Sequence, residues 1–246
     1  MTTEEVIEQS IIEGNILRLP ETQLDRKQYI EVKTKLELIG GKWKGGKVGG
    51  FVFEEDPTPY IEDIIGGDKR NLKKEYQFFE TPDDLADYLV ELAEVIPKHD
   101  VLEPSAGRGA IVKAIQRYLP DKTVNIFEIM DLNVKFLEKI QHIHFCGRDF
   151  MAIDDCYNNH FDTIISNPPF SKNQDIDHIK KMYEVLKTGG RIVSIMSSHW
   201  TFARGRKEAE FRMWLNDIGA EVLDIEPGRF KESGTMVGAK IVIINK

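Results

Sequence analysis

The sequence predicts an α/β protein. An open, mostly parallel sheet of seven strands ends in an antiparallel β-hairpin, behind a small N-terminal helix-and-hairpin extension. Three observations carry this. From Asp100 onward, short apolar runs alternate with longer segments of helical periodicity, the pattern of a sheet covered by helices. Successive runs end in a Gly-containing turn or an acid, chemistry suited to the carboxyl edge of such a sheet, where ligands bind. The last two runs, residues 221–225 and 240–244, lie too close for a helical crossover and so pair antiparallel.

The 246 residues carry a formal net charge of -8 with 41% hydrophobic content. A chain of this length can bury one sizeable α/β core with a small appendage. No apolar run of about eighteen residues predicts a membrane span. The start, Met1-Thr2-Thr3-Glu4-Glu5, lacks the basic and apolar regions of a secretory signal, so a cytoplasmic protein is expected. The two cysteines, Cys146 and Cys156, fit a reducing compartment, and no ligand spacing predicts a metal.

At the N-terminus, Asp25 is placed to cap a helix over residues 26–39, and Gly40-Gly41 to stop it. Residues 42–53 follow as a Gly-tipped hairpin that holds Lys42, Lys44 and Lys47 and no acid. The acidic total argues against a nucleic-acid partner, whereas this local basic footprint is of the kind that touches a phosphate backbone. The other reading is a solvated hairpin whose Trp43, Phe51 and Phe53 pack on the helix, and both can hold. A boundary is expected near residues 66–71, giving an extension over 1–70 and a main domain over 71–246.

The main domain reads in order. Asp100 to Glu103 forms a first strand, followed by the turn Pro104-Ser105-Ala106-Gly107-Arg108-Gly109 and a helix to about Tyr118. Gly107 and Gly109 let backbone approach a ligand without a Cβ in the way. The spacing is not that of a dinucleotide fingerprint, and no phosphate-loop Lys follows, which argues against a pyrophosphate ligand. A purely structural turn would look similar. A second strand ends at Glu128, roughly twenty residues beyond the Gly turn, where a carboxylate commonly holds a ribose diol. A third ends at Asp149 beside Phe150, an acceptor and an aromatic ring suited to an adenine. Either acid alone could be a solvated strand end; two at matching positions favour a ligand.

The fourth strand, residues 161–166, is stopped by Asn167-Pro168-Pro169-Phe170, because proline cannot donate to a sheet ladder. A helix over 175–186 follows, ended by Thr188-Gly189-Gly190 before a fifth strand over 191–196. Beyond it, Arg204, Arg206, Lys207 and Arg212 interleave with Trp200, Phe202 and Phe211. This is either a phosphate-binding rim or an ordinary amphipathic helix diluted by Glu208 and Glu210. The segment 229–235 between the last two strands should return to the active face.

The tetrapeptide suits methyl transfer to a planar amine. The lone pair of such a nitrogen is delocalised into its ring and attacks poorly. An Asn167 side-chain oxygen and a Pro168 carbonyl, each accepting one N–H, would push the nitrogen towards a tetrahedral shape. Phe170 would stack on the base. In isolation the motif would be a strand-ending turn with an Asx cap.

Together, Phe79-Glu80-Thr81-Pro82, Glu103 to Gly109, Glu128, Asp149 and Asn167-Pro168-Pro169-Phe170 resemble the S-adenosylmethionine-dependent N6-adenine DNA methyltransferases. The match is to the subgroup in which a Thr-Pro segment precedes the Gly turn, and it covers residues 76–199. The resemblance implies a Rossmann-like class I methyltransferase sheet, and it extends to methyltransferases of phages and mobile elements in bacterial hosts. It implies that Thr81 meets the methionine carboxylate and that Glu103, Pro104, Ser105, Ala106, Gly107 and Gly109 wrap the methionine and sulfonium end. Glu128 would bind the ribose and Asp149 with Phe150 the adenine. Asn167, Pro168, Pro169 and Phe170 would hold the target base next to the cofactor. Phe230 would sandwich that base from the other side, and Lys42, Lys44, Lys47, Arg204 and Arg206 would contact double-stranded DNA. About seventy-five residues follow Phe170, too few for a separate target-recognition domain beside the sheet. A similar tetrapeptide occurs in RNA methyltransferases and in enzymes that methylate a glutamine amide of release factors. An inactive cofactor-binding scaffold is a third class.

Overall fold

The computed structural model describes residues 1–65, 80–225 and 238–246, and the chain divides into two compact units, Met1–Tyr76 and Gln77–Lys246. The expected boundary at 66–71, Phe79 and Phe230 lie outside the described residues.

The first unit contains α1 (Thr3–Glu8), β1 (Ile11–Glu13), β2 (Ile16–Arg18), α2 (Arg26–Leu38), β3 (Lys42–Lys44), β4 (Gly50–Val52) and α3 (Thr58–Ile65). Its strands form an antiparallel sheet in the order β1-β2-β4-β3. Asp25 caps α2 by accepting from the Gln28 N–H at 2.8 Å. Gly41 is required where the helix ends: a Cβ there would lie 2.8 Å from the Phe53 ring and 2.9 Å from the Leu36 carbonyl. The predicted hairpin forms, with Trp43 paired to Phe51 and packed edge-on to it at 5.1 Å, while Lys42, Lys44 and Lys47 are exposed. The β1–β2 hairpin, α1 and α3 were not expected. Three-residue strands are too short to show alternation, although Ile11-Ile12 and Ile16-Leu17 do flank Gly14-Asn15, a pair suited to a tight turn.

The second unit contains α4 (Asp83–Ala93), β5 (Val101–Glu103), α5 (Ala110–Tyr118), β6 (Val124–Phe127), α6 (Asp131–Leu137), β7 (Ile143–Gly147), β8 (Phe161–Ser166), α7 (Gln174–Val185), β9 (Leu186–Ser197), α8 (His199–Phe202), α9 (Arg206–Asp217), β10 (Glu221–Ile225) and β11 (Ala239–Asn245). The sheet has seven strands in the order β10-β11-β9-β8-β5-β6-β7. Strands β5 to β9 run parallel, and β11 is antiparallel to both β9 and β10, as the short last connection requires. Alternate residues serve opposite faces. Ile165, Val193 and Ile241 pack with Leu89 and Ile115 on one side, while Ile164, Ile192 and Val242 pack with Ile179 and Phe211 on the other.

One boundary differs from expectation. Helix α7 stops at Val185, and the chain enters β9 at once, through Thr188-Gly189-Gly190 rather than after it. Gly189 takes φ 81°, and a Cβ on Gly190 would sit 2.9 Å from the Asp162 carbonyl. These glycines serve an irregular strand start, with a register shift between Phe161 and Thr163, not a helix stop.

Strand order reverses at β5, which has β6 on one side and β8 on the other. The crevice at such a reversal is where open α/β sheets bind ligands. Because Leu102 pairs with Ile164, the Gly turn after β5 and the Pro pair after β8 leave the same sheet edge side by side. Among the described residues no helix is long and apolar enough to cross a membrane.

Candidate active site

Strand β5 delivers Glu103 to the crevice at 2% exposure. Among the described residues its Oε2 has no hydrogen-bond partner. Burial, seconded by the nearby charge of Glu128, pushes the Glu103 pKa well above the ordinary carboxylate range. Pro104, Ala106 and Gly107 are buried and Ser105 half-buried. Gly107 (φ 56°) and Gly109 (φ 81°) both take the left-handed conformation. A Cβ on Gly109 would come within 2.4 Å of Ile140 Cδ1.

Glu128 follows β6 and is 6% exposed. Its Oε2 accepts the Gly107 N–H and its Oε1 the Met130 N–H, each at 2.7 Å. Burial raises its pKa, and these two backbone donors oppose that rise. The Ala106 N–H reaches the Phe127 carbonyl at 3.0 Å. The Gly turn is thereby fastened to the end of the neighbouring strand.

Asp149 is exposed and accepts the Met151 N–H at 2.9 Å, capping a short 3-10 turn. Phe150 is 2% exposed, edge-on to Phe127 at 5.6 Å and tilted against His178 at 5.7 Å. Its ring belongs to the core beneath the crevice instead of standing open beside Asp149. Burial pushes the His178 pKa down to about 4, so the imidazole is neutral at pH 7.

Across the crevice, Asn167 donates its side-chain N–H to Thr81 Oγ1 at 3.1 Å, over a separation of 86 residues. That bond fixes the amide plane and directs Oδ1 away from Thr81. Thr81 is buried, and by accepting with its oxygen it keeps a hydroxyl proton for a second acceptor. Pro168 is buried, and among the described residues no N–H donates to its carbonyl. Pro169 and Phe170 are half-buried, and Phe170 packs on the apolar cluster that includes Ile165. Lys172 (φ 54°) and Asn173 (φ 59°) then turn the chain through the left-handed region into α7.

Four hydrogen bonds brace this side that sequence reasoning did not identify. Asp175, fully buried, accepts both the Ser197 N–H (3.0 Å) and the Ser197 hydroxyl (2.8 Å). Asn173 donates its side-chain N–H to Glu208 Oε1 at 2.8 Å, and its carbonyl accepts from Lys207 Nζ at 3.1 Å. Their partners lie 22 to 35 residues away, so no local motif announces them.

The described residues therefore bring Thr81, the Gly turn, Glu128 and Asn167 to Phe170 to one sheet edge. Arg204 lies on the α8–α9 turn and Arg206 opens α9, beyond the adjacent strand β9. Lys42, Lys44 and Lys47 belong to the other unit.

A family model described as the methyltransferase small domain matches residues 80–211. The type I restriction-modification methyltransferase subunit from Streptococcus thermophilus shares the fold at 19% identity and a TM-score of 0.58, over 78% of this chain and 51% of that one. The type I restriction enzyme EcoKI M protein does so at 16% identity and a TM-score of 0.56, over 90% and 55%. A putative RNA methyltransferase from Pyrococcus horikoshii matches at 19% identity and a TM-score of 0.51, over 70% and 88%. The chain spans about half the length of the two type I proteins.

Proposed function

This chain belongs to the methyltransferase small domain family, and from that premise we propose that it methylates the exocyclic N6 amine of adenine in double-stranded DNA. S-adenosylmethionine is the cofactor. The crevice fits it: the buried Oε2 of Glu103, without a hydrogen-bond partner among the described residues, awaits a donor such as a cationic amine, beside a turn whose Gly107 and Gly109 hold the left-handed conformation. In this reading Glu103 to Gly109 wrap the methionine end and the Thr81 hydroxyl donates to its carboxylate. Glu128, already holding Gly107 and Met130, takes the ribose on its remaining lone pairs, and Asp149 accepts from the cofactor adenine. When bound, the cofactor supplies an electrophilic methyl group on sulfur.

The observation that carries the reading is the Thr81–Asn167 bond beside the Pro168 carbonyl. It sets a side-chain amide oxygen next to a stiff backbone carbonyl at the edge where the Gly turn ends. Each would accept one N–H of the amine, turning the nitrogen lone pair towards the methyl donor. Both contacts strengthen as positive charge develops on nitrogen, so they favour the transition state over the bound substrate. Fixed positioning supplies the rest of the rate. A base in a duplex cannot reach this clamp and must be extruded, at a cost of a few kcal/mol. Phe170 then stacks on it. The methylated ammonium is acidic enough to lose its proton without a general base.

Labelled S-adenosylmethionine offered in parallel with duplex DNA, RNA and a release factor tests this. Label in DNA, recovered as N6-methyladenine, is expected. Label in RNA or protein and not in DNA overturns the acceptor assignment, and no label in any of them favours an inactive scaffold.

A further inference from the structure

We infer that the end of α8 and its turn into α9, residues 200–206, form a nucleic-acid wedge, in which Phe202 enters the base stack beside the extruded adenine and Arg204 and Arg206 take flanking phosphates. The inference rests on the DNA reading above and deepens it.

Phe202 is 70% exposed, whereas Trp200, two residues earlier, is 4% exposed and packs edge-on to buried Phe211 at 5.2 Å. The turn thus sends one aromatic ring inward and the next outward. Among the described residues the only ring against Phe202 is His199, edge-on at 5.5 Å. This exposure is not fraying, because the backbone beneath is braced. Arg212 Nη1 donates to the Trp200 carbonyl at 2.5 Å and the Ala203 carbonyl at 2.9 Å, and the Ala203 N–H reaches the His199 carbonyl at 3.0 Å. A large apolar side chain held out on a rigid turn suits insertion between bases, as the apolar wedges of DNA-distorting proteins do.

Its place fits that role. The turn follows β9, which runs parallel to β8 with Ser194 opposite Ser166, so turn and clamp leave the same sheet edge. A polar chain links them: Asn173, three residues past Phe170, donates to Glu208, and Glu208 Oε1 lies 3.7 Å from His199 Nε2. The local cations divide by task. Lys207 is held by Asp177 at 2.6 Å and Arg212 by the two carbonyls, so both are structural. Arg204 is exposed, and the Arg206 side chain is 90% exposed while sharing Glu210. The N-terminus of α9 is not a phosphate site, since the Glu208 carboxylate folds over it: a Cβ on Gly205 would fall 2.1 Å from Glu208 Oε2. Phosphate contact falls to the two arginines that follow the ring, Arg204 and Arg206.

The test assays mixed-sequence DNA as duplex and as separated single strands, with wild-type protein, Phe202→Ala and Phe202→Trp. A wedge matters only where a base must leave a stack. Phe202→Ala is expected to lower kcat/KM for methyl incorporation about tenfold on duplex, and less than about twofold on single strands. Phe202→Trp should stay near wild type on both. Unchanged cofactor affinity and melting temperature in Phe202→Ala complete the expected result. No loss on duplex, equal loss on both forms, or wild-type activity confined to single strands overturns the wedge while leaving adenine methylation standing. Wild-type protein that methylates neither form overturns the DNA reading and the wedge with it.

Discussion

Around Gly107 and Gly109 the crevice is held by backbone amides gathered on one carboxylate and one carbonyl, whereas around Asn167 it is held by pairs of side chains from distant parts of the chain. On the β5–β6 side, Glu128 ties the Gly107 and Met130 amides together and Ala106 bonds to Phe127. On the β8–β9 side, Asn167 meets Thr81, Asp175 meets Ser197 and Asn173 meets Glu208. The first side makes a fixed surface from turn geometry. The second is a lattice of paired polar groups in which each member positions the next, so damage there should spread.

The largest effect on stability should come from Asp175→Ala. It strands a buried Ser197 N–H and hydroxyl, at a cost of about 3 kcal/mol. Denaturant unfolding measures it, and a loss below about 1 kcal/mol would mean that the side-chain lattice is not a support. Gly109→Ala probes the other side. A Cβ 2.4 Å from Ile140 Cδ1, on backbone at φ 81°, should cost about 2 kcal/mol and weaken S-adenosylmethionine binding, as calorimetry would show. Equal cofactor losses in both variants would erase the contrast between the two sides.

Glu103 gives a smaller effect that depends on pH. Its folded-state pKa is raised by burial, so the folded protein holds a proton that the unfolded chain releases. That contribution is fully present below the ordinary carboxylate value and is lost as pH rises through the raised one. Glu103→Gln, neutral at every pH, should therefore lose less stability than wild type as pH rises over this window. Melting temperatures of the two proteins at stepwise pH check it, and parallel curves would refute the assignment.

The same contrast explains what was legible in the sequence. Glu103 to Gly109, the acid after β6 and the proline pair after β8 are local signals whose residue types dictate their own backbone. The seven-stranded sheet followed from them and from the spacing of the apolar runs. The Thr81–Asn167 bond spans 86 residues and has no local signature. Asp175 reads as an ordinary first-turn acid until Ser197 is brought over it. Gly189-Gly190 misleads because a glycine pair serves a helix stop and a crowded strand start equally well, and only the Asp162 carbonyl decides between them. Phe150 beside Asp149 reads as an open aromatic, but packing with Phe127 and His178 draws it into the core.

The central claim is that the Asn167 amide, set by Thr81, acts on the acceptor nitrogen and not on the cofactor's affinity. The direct measurement is methyl transfer to DNA by Asn167→Ala alongside its calorimetric affinity for S-adenosylmethionine. Turnover should fall at least about a hundredfold, while cofactor affinity stays within a few-fold of wild type. Matching losses in both, or turnover that survives the substitution, would contradict the account.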